Sequence, residues 1–144
     1  MSGSGARILI LDDQRAARRV LRSVLGAIDD LHFEEASTLE QALVLCREQR
    51  FDAYLVDIHL SESPLERGGI EFIKQVRALQ PAPAVVVSAS VEMQDLREAM
   101  RAGAVDYVLK DQLSPELIVP IVQEILAKRD LQRRVEQLGE RLDR

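Results

Sequence analysis

Four short runs of almost wholly apolar residues limit what this chain can fold into. They are Ile8-Leu9-Ile10-Leu11, Ala53-Tyr54-Leu55-Val56, Ala84-Val85-Val86-Val87 and Tyr107-Val108-Leu109. A strand with one wet face alternates apolar and polar side chains. These runs do not alternate, so they suit strands buried on both faces, as in a parallel sheet. His32-Phe33-Glu34-Glu35-Ala36 is a weaker run and reads as an edge strand.

Helical patterns lie between the runs. Ala17, Val20, Leu21, Val24 and Leu25 recur at the spacing of one helix face. So do Leu39, Ala42, Leu43 and Cys46, then Phe72, Ile73, Val76 and Leu79. Leu96, Ala99, Met100 and Gly103 form a fourth stripe, and Ile118, Ile121, Val122 and Ile125 begin a fifth. Ser37 or Thr38 can cap the second helix, with Gln41 as the capping-box partner. Gly68-Gly69 is expected to precede the third helix and Pro81 to close it. Gly103 suits the end of the fourth, and Ser114-Pro115 the start of the fifth. Strand and helix thus alternate five times, which predicts an α/β fold: one doubly wound parallel sheet with helices on both faces.

A length of 144 residues suits one domain, and 47% apolar content fills one core. Aromatics are only 3%, so Leu, Ile, Val and Ala must build that core. The net charge of −5 argues against a nucleic-acid surface. Cys46 is the only cysteine, which excludes an intrachain disulfide and points to a reducing compartment. No apolar run approaches the ~20 residues that span a bilayer. No basic-then-apolar leader opens the chain, and residues 1–5 read as a flexible tail or cloning scar.

In open α/β sheets, ligands sit outside the carboxyl ends of the strands. Strand one ends in Asp12-Asp13, strand three in Asp57, strand four in Ser88 and strand five in Lys110. Three clustered carboxylates repel one another unless a cation joins them. Mg²⁺ suits that role, since it takes oxygen ligands and binds through one or two carboxylates plus a phosphate oxygen. One carboxylate can then act as a nucleophile that forms an acyl phosphate. Lys110 and Ser88 can each hold a phosphoryl oxygen.

The segments ILILDDQ, AYLVDIHL, VVVSAS and GAVDYVLK, in this order and spacing, resemble the response-regulator receiver domain over about residues 6–127. The resemblance implies a flavodoxin-like sheet of order 2-1-3-4-5, Asp57 as phosphoacceptor, and Asp12 and Asp13 as the Mg²⁺ pocket, which the carbonyl of His59 completes. It implies that Ser88 and Tyr107 form a switch pair and that Ala89 keeps the phosphoryl group accessible. It further implies a cytoplasmic signalling protein whose donor is a sensor histidine kinase or a histidine phosphotransfer protein. Two departures stand out. Asp111 follows Lys110 where the family often has proline, so a cis peptide is not expected there. The stretch from Ser61 to Arg67 reads as an enlarged loop that gates the site or touches a partner.

Taken singly, each residue has a plainer reading. Asp12-Asp13 could cap a helix, Asp57 could end a strand in a turn, and Lys110 could be a solvated lysine. Tyr107 could be packing, and Cys46 reads as core. Lys128, Arg129, Arg133 and Arg134, interleaved with glutamates, read as a solvated helix face. Four matching residue types at four strand ends reverse the odds for the site. Two other functions compete: a degenerate receiver that only binds partners, and a phosphatase with an aspartyl-phosphate intermediate, such as the haloacid-dehalogenase type. In that class the nucleophile sits on the first strand with a second Asp two residues on, unlike the adjacent pair here. Flavodoxin shares the topology, but no Ser/Thr/Gly-rich phosphate loop follows strand one.

Residues 128–144 extend past the point where a fifth helix finishes covering the sheet. Leu131, Val135, Leu138 and Leu142 recur as a short heptad seam, which predicts a continuing helix and a homodimer through it. Pro120 predicts a kink or one-turn break near residues 116–120, with the regular helix beginning close to Pro120.

Overall fold

The computed structural model describes residues 5–60, 67–89 and 92–142. Its elements are β1 (Ala6–Leu11), α1 (Arg15–Val24), β2 (Leu31–Ala36), α2 (Leu39–Glu48), β3 (Ala53–Val56), α3 (Gly68–Leu79), β4 (Ala84–Ser88), α4 (Met93–Ala102), β5 (Ala104–Leu109) and α5 (Pro115–Leu142). The five strands pair in parallel in the order β2-β1-β3-β4-β5. The weak run becomes the edge strand β2, in register with β1 from Ala6↔Leu31 to Leu11↔Ala36.

The non-alternating runs are buried as two layers. Ile8, Ile10, Leu55, Val85, Val87 and Val108 pack with Leu21, Ile118, Val122 and Ile125, so α1 and α5 cover that face. Leu9, Leu11, Tyr54, Val56 and Val86 pack with residues of α2, α3 and α4 on the other. Cys46 lies in this second layer, as its stripe predicts, and burial pushes its thiol pKa up despite a hydrogen bond with Tyr54.

The helix ends follow the punctuation in most places. Thr38 Oγ1 accepts from Gln41 N at 3.1 Å, and Gln41 Oε1 returns to Ser37 N at 2.9 Å. Gly103 closes α4 at φ 129°, a value that favours glycine. Gly68 and Gly69 depart from expectation, since both lie inside α3 rather than before it.

Pro120 departs as well. The helix is unbroken from Pro115, with Pro120 inside it. Proline so near the start removes only one intrahelical bond, the one Glu116 O would accept. Glu116 and Pro120 are both exposed, so water can satisfy that carbonyl. The helix then continues to Leu142, well past its last buried residue, Ile125. No helix among the described residues is long and apolar enough to cross a membrane.

Candidate functional site

The sheet order brings the ends of β1, β3, β4 and β5 to one edge. Asp57 N donates to Leu11 O at 2.9 Å, which locks the start of the β3–α3 loop to β1. Ser88 pairs with Leu109 across β4 and β5, one residue before Lys110. Residues far apart in sequence are thereby fixed within hydrogen-bonding reach.

Asp57 lies at the centre. Its Oδ1 accepts from Ser88 Oγ at 2.7 Å and from His59 N at 3.2 Å. Its Oδ2 accepts from Lys110 Nζ at 2.9 Å. Lys110 Nζ also stands 2.8 Å from Asp12 Oδ2. Asp12, Asp57 and Ser88 are buried, whereas Asp13 is exposed. Burial pushes the Asp12 carboxyl above its usual range, and nearby Asp57 adds to that, while Lys110 and Gln14 N oppose it. Burial works against the Lys110 charge, but its hydrogen bonds to Asp12 and Asp57 outweigh it and raise the pKa.

The plain cap reading of Asp12-Asp13 covers only part of this. Asp12 Oδ1 does accept from Gln14 N at 2.9 Å. The cap position of α1 is Gln14, however, with no side-chain cap bond. Asp12 Oδ2 is buried, and the group that meets it is Lys110 Nζ. One carboxylate oxygen each from Asp12, Asp13 and Asp57 lie within 4.8 Å of one another. Three clustered carboxylates, two of them sharing the single charge of Lys110, make an all-oxygen set that fits a hard divalent cation such as Mg²⁺.

Tyr107 is exposed on β5, where it pairs with Val86, two residues before Ser88, its proposed switch partner. The peptide after Lys110 is trans, and a 3-10 turn over Lys110–Gln112 follows. Of the enlarged loop only Arg67 is described; residues 61–66 lie outside the described residues.

Three features of the surroundings were not read from the sequence. Gly69 lets α3 pass against the Asp57 backbone, because a Cβ there would stand 1.9 Å from Asp57 O. Arg18 Nη1 donates to Asp12 O at 2.7 Å and Arg18 Nε to Glu35 at 2.9 Å, which ties α1 to the acidic pocket and to β2. Asp95, buried on α4, pairs with Arg67 at 2.9 Å and stands 3.6 Å from His59 Nε2. The glycine pair was visible as punctuation. The last two contacts join separate elements and leave no periodic signal.

A family model described as the response regulator receiver domain matches residues 8–123. The KDP operon transcriptional regulatory protein KdpE of Escherichia coli is 36% identical over 72% of this chain and 44% of its own length. The alginate biosynthesis transcriptional regulatory protein AlgB of Pseudomonas aeruginosa is 32% identical over 96% of this chain and 30% of its own. The chain therefore spans less than half the length of these relatives. A CheY-like receiver domain protein from Methanospirillum hungatei superposes with TM-score 0.77 at 24% identity, over 90% of this chain and 99% of that one.

Proposed function

Since this chain belongs to the response regulator receiver domain family, we propose that it takes a phosphoryl group from a phosphohistidine donor onto Asp57. The observation that carries this reading is the buried Asp57 carboxylate, held between the Ser88 hydroxyl and the Lys110 ammonium. An Asp57 oxygen forms the new O–P bond as the histidine N–P bond breaks, and the imidazole leaves with its electron pair. Lys110 and Ser88 turn to the transferred oxygens and balance their charge. Asp12, Asp13, Asp57 and the His59 carbonyl would hold Mg²⁺, which supplies positive charge to the donor phosphate when bound. As Ser88 leaves Asp57 for the phosphoryl group, Tyr107 turns inward behind it. That shifts an existing equilibrium rather than refolding the domain.

The donor is a sensor histidine kinase or a histidine phosphotransfer protein. The receiver acts in the cytoplasm, touches no nucleic acid through this segment and signals to an output domain or partner protein. It is a phosphoacceptor that assists its own phosphorylation and dephosphorylation, not a conventional enzyme. The α5 extension pairs two copies through Leu131, Val135, Leu138 and Leu142, all exposed. The intact acidic set and lysine weigh against a degenerate receiver, and a nucleophile on the third strand weighs against the phosphatase.

Incubation with Mg²⁺ and acetyl phosphate tests the assignment. Intact mass should rise by one phosphate, acid-stable and base-labile, and Asp57→Asn should abolish it. Labelling that survives in Asp57→Asn removes Asp57 from the role.

A further inference from the structure

Asp52 lies just before β3, at the opposite edge of the sheet from Asp57. Its amide donates to Arg7 O at 2.7 Å, and its Oδ2 accepts from Arg7 N at 2.9 Å. This fixed carboxylate faces the α5 extension. Arg129 Nη1 stands 3.0 Å from Oδ2, and Arg133 Nη2 donates to Oδ1 at 3.2 Å. Arg129 is largely buried, so it is not part of a solvated face. Beside these contacts a cleft of about 420 Å³, lined by Pro81, Pro83, Val105, Gln132 and Glu136 among others, opens between the extension and the sheet edge. Beyond Leu126, no apolar residue of α5 packs on either core layer. The ion pairs therefore hold the extension where apolar packing has ended.

The two arginines also fix which way the helix faces. At about 100° per residue, Leu131, Val135, Leu138 and Leu142 centre roughly 190° from Arg129 and Arg133. Their exposures of 62%, 62%, 57% and 85% agree. We infer that Asp52, Arg129 and Arg133 form a clasp that turns this seam away from the domain, where it receives the same seam of a second copy in parallel. The inference rests on the pairing reading above and deepens it.

The direction of pairing follows from the residues that flank the seam. Val135 and Leu142 take the a positions, and Leu131 and Leu138 the d positions. Val135 at a with Leu131 and Leu138 at d suits a two-stranded coil, and the flanking charges set its direction. Arg134 and Arg141 then occupy g, and Gln132 and Gly139 occupy e. An antiparallel pair would set g against g, arginine facing arginine. A parallel pair sets each g against e, and no like charges meet. A lone helix of this length is marginal in water. Anchored by the clasp and continuous with α5, it is ordered before it meets its partner, which lowers the cost of pairing.

Disulfide trapping on the full chain tests this, with Leu142→Cys as the probe and the native Cys46 buried. A parallel pair brings the two introduced thiols together and yields a linked dimer. An antiparallel pair sets residue 142 beside residue 131, about 16 Å away along the axis, and yields none. Asp52→Asn keeps the acceptor for Arg7, and Arg129→Gln with Arg133→Gln alters only the helix. Either change should slow trapping roughly tenfold and raise amide exchange over residues 128–138 by a similar factor, with sheet amides unchanged. Equal trapping and exchange in both overturns the clasp. A dimer by sedimentation that does not trap overturns the parallel arrangement. A monomer at every concentration overturns the pairing reading itself, while phosphate uptake on the same sample reports separately on Asp57.

Discussion

Gly69 and Asp57 touch backbone to backbone: a Cβ on Gly69 would stand 1.9 Å from the Asp57 carbonyl oxygen and 2.7 Å from its carbonyl carbon. Gly69 N also donates to Ile58 O at 2.9 Å. The first turn of α3 is thereby wedged under the loop that carries the phosphoacceptor. Gly69→Ala must move backbone, and the cost should be at least about 2 kcal/mol of stability. Because Asp57 shifts too, acetyl phosphate labelling should slow in the fraction that stays folded. Urea melts and labelling time courses on the same samples check both. A variant as stable as the parent would mean that α3 can slide without disturbing Asp57.

The single charge of Lys110 is shared by two buried carboxylates, Asp12 and Asp57. Lys110→Ala should therefore cost on the order of 2 kcal/mol when no divalent cation is added. Added Mg²⁺ should raise the Tm of the variant more than that of the parent, since the cation replaces the lost charge. The variant should still bind Mg²⁺ yet respond weakly to beryllofluoride, having lost the group that holds a phosphoryl oxygen. Calorimetric scans with and without Mg²⁺ decide this; an equal Mg²⁺ effect in both proteins counts against it.

Glu35 on β2 meets Arg18 at 2.9 Å and Arg22 at 2.7 Å. Partial burial pushes its pKa up, but the hydrogen bonds and charges of the two arginines outweigh that and hold it below the usual value. A depressed folded-state pKa contributes stability above the unfolded value, and that stability is lost as pH falls through the folded one. Glu35→Gln should therefore cost about 0.5–1 kcal/mol at pH 7. The gap between the two proteins should close as the pH falls below about 4. Denaturant titrations at several pH values test the sign; a gap that widens in acid contradicts it.

Beryllofluoride with Mg²⁺ should change amide spectra beyond the immediate surroundings of Asp57. The shifts should reach the loops after β3 and β4, the residues of α4 and Tyr107. Asp95 should be among them, since it links α4 to His59 and Arg67 beside the phosphoacceptor. Shifts confined to residues next to Asp57 would sink the switch assignment.

The amino-acid sequence alone carried the alternation of strands and helices, the parallel sheet, the edge position of β2, a cap at Ser37 or Thr38 and the helix stop at Gly103. These follow from local periodicity and turn chemistry, which any short window of the chain displays. It also placed Asp12, Asp13, Asp57, Ser88 and Lys110 at strand ends, because in a parallel sheet strand ends gather at one edge whatever the helices do. The tertiary structure decided what depended on distant partners. Pro120 stays within α5 at an exposed stretch of its first turns, where water can reach the freed carbonyl, which a helix-breaking rule cannot foresee. Gly69 is needed because the Asp57 backbone crosses it, not because a helix begins there. Arg129 has the composition of a solvated face, yet it turns inward because Asp52, remote in sequence, is fixed by β1 within its reach. Periodicity reports which face of an element is buried; only the assembled fold decides which charge meets which.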